Sequence, residues 1–376
     1  MTGLPAVWLG GRSVRRSLAA ATVVTVVVAI TGLVTADGRT GPALLLAGVY
    51  LAGLGWGAVI FVALQILVGA RWEGTLRDVP HRVMSVLPIS LPLLFVCFIV
   101  LPETVASGVA LQSMARDGWM EQWLLMTRAL LFIGAWIAAA RLLATRLADQ
   151  APAAGVTVAC VLTGWLAIND WLMALSPGWV STIFGVYVAV GFFASSVAVM
   201  LLVYVAWRMK GTPGREVSQQ QVQDLATWMF GISCLWAYLW YCQFMIIWYT
   251  NQPHEAGYFA ARLTDEWRVF FFAPVILKWA VPGVLLLSRA GKRNAVTVVL
   301  AGASVAVGQW FDLYLMIAPA TLPGPPRPGL LELALALGMT AVIIGQLRMP
   351  GNPRSGSGSS GRQPSEPVSR NARQRH

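Results

Sequence analysis

Charged residues are scarce in this chain. Of its 376 residues, 57% are hydrophobic and only 11% are Asp, Glu, Lys or Arg, whereas charged residues make up about 25% of an ordinary soluble domain. Long stretches carry almost no charge, and each is long enough to cross the roughly 30 Å apolar core of a bilayer. This composition excludes an ordinary soluble globular protein. It predicts an all-α integral membrane protein that crosses the bilayer many times.

Cysteine and histidine are also scarce, and their positions limit the chemistry. The four cysteines lie in apolar segments and form no C-x-x-C pair, which argues against a cysteine-ligated zinc site, an iron–sulfur cluster or a c-type haem attachment. The three histidines, His81, His254 and His376, lie outside the apolar helices, whereas a b-type haem needs ligands within them. We therefore predict that the chain holds no metal or haem of its own.

Basic residues outnumber acidic ones, and the formal net charge is +11. Their distribution nevertheless argues against a nucleic-acid partner, because Lys and Arg lie between the apolar segments, where they set topology and contact anionic lipid headgroups. With a cytoplasmic N-terminus, most of them fall on the cytoplasmic side, including Arg15, Arg77, Arg141, Lys210 and Arg293. The positive-inside rule thus predicts that both termini are cytoplasmic.

Ten apolar segments are predicted to span the bilayer, at roughly 17–35, 42–69, 84–102, 123–145, 156–174, 180–207, 225–249, 267–288, 295–317 and 329–347. They define a transmembrane domain over 17–349, between a cytoplasmic N-terminus (1–16) and a disordered basic cytoplasmic tail (350–376) rich in Gly, Ser and Pro. The first segment also resembles a signal peptide with a cleavage site near Ala36. Its length favours retention, and the rest of the topology is the same either way.

Residues 224–268 form the most distinctive stretch. Between 225 and 253 there is no Asp, Glu, Lys, Arg or His, and at ~1.5 Å per residue this run exceeds the bilayer core, which predicts a long, tilted helix. Asp224 is expected at its N-cap or first turn. The outer loop that follows holds His254, Glu255, Arg262, Asp265 and Glu266. Glu255 and its acidic neighbours form a proton exit, a docking surface for a periplasmic partner, or a solvated loop.

Charges within the predicted spans are expensive, so each needs a partner or a function. Arg128, Asp170 and Asp312 lie about 6–9 Å inside the outer ends of their predicted helices, given the helical rise. They are consistent with an outer half-channel for protons or with an Arg–Asp pair that fastens helices together. Lys278 is the deepest charge. Asp312 is expected roughly 10 Å nearer the outer face, so direct pairing requires the lysine side chain to extend outward.

Polar and aromatic side chains inside the long helix are candidate ligands for a quinone. Gln243 and Tyr241 offer hydrogen bonds to a quinone carbonyl or to water, although such groups more often bond a neighbouring helix. Trp240 belongs to a stripe of aromatic residues that recurs every four positions from 236 to 248. That stripe suits either a quinone tail or packing against helices and lipid.

Three blocks of the sequence resemble one family. The first, residues 168–187, reads INDWLMALSPGWVSTIFGVY; the second comprises WAYL at 236–239 and QFMIIWYTNQPHE at 243–255. The third comprises LLLSR at 285–289, KR at 292–293, WFDLY at 310–314 and Pro319. Together they resemble the F subunit (ActF-type) of alternative complex III, one of two NrfD-like membrane subunits of that bacterial quinol-oxidising complex. The family's turn usually reads Pro-Glu-Glu, whereas Pro253-His254-Glu255 here keeps only the second acid.

The resemblance implies a ten-helix NrfD-like bundle in the bacterial plasma membrane, without a redox centre or catalysis of its own. It implies three kinds of partner: a C-type NrfD-like subunit, an iron–sulfur subunit and haem c subunits, which carry the electrons from quinol. A proton path has been proposed for the family. The corresponding candidates here are Asp170, Lys278, Asp312, Arg128 and Glu255, with Gln243, Tyr241 and Trp240 as candidates for a quinone or lipid pocket.

The sequence is also consistent with two other classes of function. A secondary transporter also places charges within the bilayer, but no clear inverted repeat relates 17–174 to 180–347, and no paired broken helices are evident. A purely structural or assembly subunit would hold the same charges as static pairs.

Overall fold

The computed structural model describes residues 38–70, 75–100, 121–145, 150–176, 178–211, 217–322, 324–326 and 328–348, with three isolated positions at 23, 27 and 31. The predicted N-terminus 1–16, most of the first predicted span 17–35 and the tail 350–376 lie outside the described residues.

Helices account for nearly all of the described chain, and no strand occurs within these ranges. In order, they are α1 (Thr40–Leu67), α2 (Thr75–Met84), α3 (Leu87–Val100), α4 (Gln122–Thr145), α5 (Gln150–Trp171), α6 (Thr182–Lys210), α7 (Gln219–Thr250), α8 (Pro253–Ala260), α9 (Arg268–Leu286), α10 (Arg289–Arg293), α11 (Ala295–Thr321) and α12 (Leu330–Arg348). The all-α prediction is confirmed for this part of the chain.

Eight spans in the described chain are long and apolar enough to cross a membrane: α1, the α2–α3 pair (Asp78–Ile99), α4, α5, α6, α7, α9 and α11. The chain is thus a multi-pass helical membrane protein. The last predicted span coincides with α12, whose apolar part, Leu331–Thr340, is shorter than the others. The count of ten and the cytoplasmic termini stay predictions.

α1 is the central helix of the bundle. Leu44, Leu45, Leu46 and Ala47, four successive residues that together face every side of the helix, are each at most 3% exposed. Small residues let its neighbours approach closely, as at Gly53, where an added Cβ would collide with the Phe192 ring of α6. An apolar helix that is enclosed on all sides by other helices needs no polar face, which explains its uniformly hydrophobic sequence.

α7 is one continuous helix, as predicted, and extends over about 48 Å at the usual helical rise. It begins earlier than expected. Ser218 is the N-cap and forms a capping box with Gln221, because each side chain bonds the other residue's backbone N–H. Asp224 therefore lies inside the helix and accepts a hydrogen bond from Gln220. The predicted capping role of Asp224 is wrong, since a better capping pair lies upstream.

α9 is interrupted by a π-helical turn over Ile276–Ala280, between Pro274 and Pro282. Proline lacks an N–H, so Pro282 cannot donate to the carbonyl of Lys278 four residues earlier. A π turn pairs carbonyls with donors five residues ahead, which relieves this defect. The turn also carries Lys278.

Candidate functional site

The centre of the bundle contains a buried ion pair between α9 and α11. The Lys278 Nζ atom lies 2.7 Å from an Asp312 carboxylate oxygen, and the two side chains are 0% and 1% exposed. Lys278 donates a second hydrogen bond of 2.7 Å to the Gln309 side-chain oxygen. Gln309 and Asp312 are three residues apart on α11, so their side chains lie on one face of that helix. Lys278 and Asp312 therefore pair directly, which was expected only if the lysine side chain extends toward Asp312.

Two further helices complete the surroundings of this pair. The Tyr187 hydroxyl of α6 donates a hydrogen bond to the second Asp312 oxygen. The Trp236 ring of α7 lies 3.9 Å from the Lys278 ammonium, a cation–π contact in a dry environment. Gly191 faces the same point, and a Cβ there would lie 3.0 Å from the Lys278 Nζ. Four helices thus contribute to one buried charged cluster.

Arg128 and Asp170 form a second, separate ion pair between α4 and α5. Their Nε and Oδ2 atoms lie 2.7 Å apart, and the side chains are 12% and 4% exposed. Asp170 is in the last turn of α5, where the helix dipole disfavours a carboxylate and makes a cationic partner valuable. The ion pair was one of the two roles considered for these residues, and the proton half-channel stays a prediction. Asp312, which we expected to share their layer, bonds Lys278 and Tyr187 instead.

A small cavity, lined by both polar and apolar side chains, adjoins the Lys278–Asp312 pair on the side of the predicted outer loop. Its volume is about 20 Å³. The lining includes Gln243 and Trp240 from α7, with Tyr187, Asp312 and Arg262. Tyr241 does not line it, and its side chain is 54% exposed on the outside of the bundle. Helical geometry explains the difference, because Tyr241 lies on another face of α7 from Trp240 and Gln243.

As it stands, this cavity is far smaller than the engineered cavity of about 150 Å³ that binds benzene. The quinone or lipid pocket at Gln243, Tyr241 and Trp240 stays a prediction. Trp240 packs within a group of rings that includes Phe244 and Phe271. The stripe along α7 therefore serves helix packing at this position.

The predicted outer loop is more ordered and more buried than its composition suggests. Arg262 is only 3% exposed, and it donates hydrogen bonds to the carbonyls of Leu315, Met316 and Tyr258. Its guanidinium also lies 3.5 Å from the Tyr258 ring centroid. Burial lowers the pKa of Arg262 and raises the pKa of Tyr258 from their ordinary values. Arg262 thus fastens the loop to the end of α11.

The acidic residues of this loop occupy different environments. Glu255 is half-buried in the first turn of α8, where the helix dipole favours a carboxylate. Asp265 and Glu266 are exposed ahead of α9, and Asp265 forms an ion pair of 2.7 Å with Arg268. The roles predicted for Glu255 and its neighbours stay predictions.

Sequence reasoning missed several members of the site. Tyr187 and Gln309 are ordinary polar residues in apolar spans, and only their spacing could have signalled them. Gln309 precedes Asp312 by three residues, and Tyr187 precedes Gly191 by four, which are helical same-face intervals. Arg262 resembled a solvated loop residue. The signal that could have found its partner is Pro319, which leaves the carbonyl of Leu315, four residues earlier, without a helical donor.

No group of three or more His, Cys, Asp and Glu residues that could hold a metal ion occurs among the described residues. No protein-family model matches the chain, and none of the curated proteins is significantly similar to it. The functional argument therefore depends on the residues and their geometry.

Proposed function

We propose that the chain is a non-redox membrane subunit of a quinol-oxidising respiratory complex of the alternative complex III type. Its function there is to scaffold the membrane module and to conduct protons. Its partners would be a C-type NrfD-like subunit, an iron–sulfur subunit and haem c subunits in the bacterial plasma membrane. Those partners would hold the redox cofactors.

One observation carries the proposal: the three sequence blocks that resemble the family meet at one buried site. Tyr187 of the first block bonds Asp312 of the third. Trp236 of the second block lies on Lys278, which bonds the same carboxylate. If the three blocks resemble the family because they serve one function in it, we expect them to lie together in the folded chain.

The proton-conducting part of the proposal is supported by the chemistry of the cluster. A lysine, a carboxylate and a phenol in direct contact can exchange a proton without moving far, and charged groups within a bilayer commonly mark ion or proton routes. The small cavity has both Asp312 and Arg262 of the predicted outer loop in its lining. A static pair that only joins α9 to α11 is the competing interpretation.

The complex-subunit proposal is tested by purification of the tagged, full-length chain in mild detergent. We expect it to bring down an assembly with haem and iron–sulfur spectra that oxidises quinol. A colourless protein, recovered alone under conditions that preserve other respiratory complexes, would contradict the proposal. A screen for transport activity would then be the next step.

The proton proposal needs a variant that keeps the site folded. We expect Lys278→Met/Asp312→Asn, which replaces the ion pair with uncharged groups, to keep assembly and haem content but to lose proton release coupled to quinol oxidation in vesicles. Lys210→Met, at the exposed end of α6, is the matched control and should behave as wild type. Unchanged proton release in the double variant would assign the pair a structural role only.

A further inference from the structure

The Gln243 side chain is polar and buried, and its hydrogen bonds are unaccounted for. It is 5% exposed and lies in the outer half of α7. Within the part of the chain that the structure describes, no residue hydrogen-bonds its carboxamide, although it lines the cavity beside Asp312. Polar groups inside proteins are normally hydrogen-bonded to protein or to ordered water, which makes a bound polar ligand favourable here.

The cavity has the size for a single water molecule, and polar side chains line part of it. A water needs roughly 10–15 Å³ of such space and two to four polar partners, and the cavity provides about 20 Å³. The carboxylate of Asp312, the hydroxyls of Tyr187 and Tyr258 and the carboxamide of Gln243 belong to its lining residues. Asp312 already accepts one hydrogen bond at each oxygen, and an ionised carboxylate can accept further bonds.

Other occupants fit less well. The cavity as it stands is too small for an aromatic headgroup, and Lys278 and Arg262 disfavour a cation. An anion would lie against the Asp312 carboxylate. Water can donate to the carboxylate and accept from the carboxamide at the same time, so it satisfies both sides.

We propose that one water molecule occupies this cavity and connects Gln243 to Asp312, so that Gln243 is a positioning residue for the buried ion pair. The water completes the hydrogen bonding of the carboxylate on the side that faces the predicted outer loop. This site is a property of the folded chain and does not depend on the proposed membership in a respiratory complex.

The test is a structure of the full-length chain in lipid nanodiscs at a resolution that shows ordered water, for the wild type and for Gln243→Leu and Gln243→Glu. We expect one density peak within hydrogen-bond distance of Gln243 and Asp312 in the wild type. It should persist in Gln243→Glu, which keeps a polar group, and disappear in Gln243→Leu, whose apolar side chain has no hydrogen bond to offer.

Infrared spectroscopy provides the second readout. The carboxylate band of Asp312, assigned by its loss in Asp312→Asn, should shift in Gln243→Leu and stay unchanged in Gln220→Leu, a control at the exposed start of α7. An empty cavity in the wild type would overturn the proposal, as would a direct bond from Gln243 to Asp312 or an unshifted band in Gln243→Leu. If Gln243→Leu does not fold, the wild-type density and the Gln243→Glu variant decide the matter.

Discussion

Lys278 and Asp312 show how a charge is retained inside a membrane protein. The lysine ammonium contacts two side-chain oxygens and an aromatic face, and together these offset part of its desolvation cost. The carboxylate receives bonds from Lys278 and Tyr187. Each charge is tolerated only while its partner is present, because burying a single unpaired charge costs far more free energy than burying the ion pair.

Removal of one member of this pair should therefore be worse than removal of the charge on both. We expect Lys278→Met to destabilise the fold by roughly 3–5 kcal/mol, since Asp312 loses its cation. Lys278→Met/Asp312→Asn should recover much of that loss, because no buried charge is left and Tyr187 keeps an acceptor. Thermal unfolding in detergent measures the difference, with Lys210→Met as the exposed control. A double variant no more stable than Lys278→Met would contradict this account.

Gly191 is constrained by contact with the same cluster. An added Cβ would lie 2.7 Å from the Gln309 side-chain oxygen and 3.0 Å from Lys278 Nζ, so Gly191→Ala must displace one of them. We expect a loss of about 1–3 kcal/mol. Gly231→Ala on the open face of α7 has nothing within 4 Å and should stabilise the helix slightly. Equal melting temperatures for the two variants would rule out the predicted crowding.

Prolines inside α9 and α11 lack a backbone N–H and so disturb the helical hydrogen bonding next to the site. Pro282 accompanies the π turn that carries Lys278. Pro319 lies inside α11 and lacks the N–H that would bond the carbonyl of Leu315. Arg262 donates to that carbonyl at 3.0 Å. A side chain from the loop thus replaces a missing backbone donor.

This replacement predicts coupling between Arg262 and Pro319. Arg262→Gln should be strongly destabilising, because hydrogen bonds from a charged donor contribute roughly 1.5–3 kcal/mol each and three carbonyls lose theirs. The loss should be smaller in a Pro319→Ala background, where the backbone N–H restored by the substitution can donate to the Leu315 carbonyl. A double-mutant cycle on thermal stability measures the coupling.

The matched control is Arg268→Gln, since Arg268 is largely exposed and its ion-pair partner Asp265 is exposed too. We expect little change there. Additive effects of Arg262→Gln and Pro319→Ala would show that the guanidinium acts in some other way.

The helices differ in how much of their surface is buried, and one of them lies inside the bundle. α1 is enclosed by other helices, whereas α4, α5 and α7 expose large apolar side chains, including Leu131, Leu162 and Leu235. Exposed apolar faces of this kind suit lipid or neighbouring membrane subunits. The polar ends of the helices then determine how the bundle lies in the bilayer.

The predicted orientation can be tested with introduced cysteines. Gln220 lies near the start of α7 and Asp265 in the loop before α9, and both are exposed. We expect a membrane-impermeant thiol reagent to label Asp265→Cys in intact cells, and Gln220→Cys only after permeabilisation. The native cysteines are the background, and Cys97 and Cys160 are buried. The opposite pattern would invert the topology inferred from Lys and Arg.

Much of the fold could be predicted because its signals are local. Each of the eight spans coincides with a predicted segment, although the α2–α3 pair, α5 and α7 begin about six residues earlier than expected. The errors have physical reasons: the Ser218–Gln221 capping box moves the start of α7 away from Asp224. The site was only partly predictable. Similar depth indicated an Arg–Asp pair but did not decide between Asp170 and Asp312 as the partner of Arg128, and it gave no sign of Tyr187, Gln309 or Arg262.

That the chain is a helical membrane protein follows from its sequence alone, because runs of apolar residues can satisfy the hydrogen bonds of their backbone in a bilayer only as helices. It also follows from the sequence that Lys278, Asp170 and Asp312 need partners, since an isolated charge in that medium is too costly. Which partners these residues have is visible only in the three-dimensional arrangement of the helices. The pairing depends on which helix faces meet, on the π turn that carries Lys278, and on the small Gly191 that lets α6 approach. These are relations between distant segments, which a linear pattern does not contain.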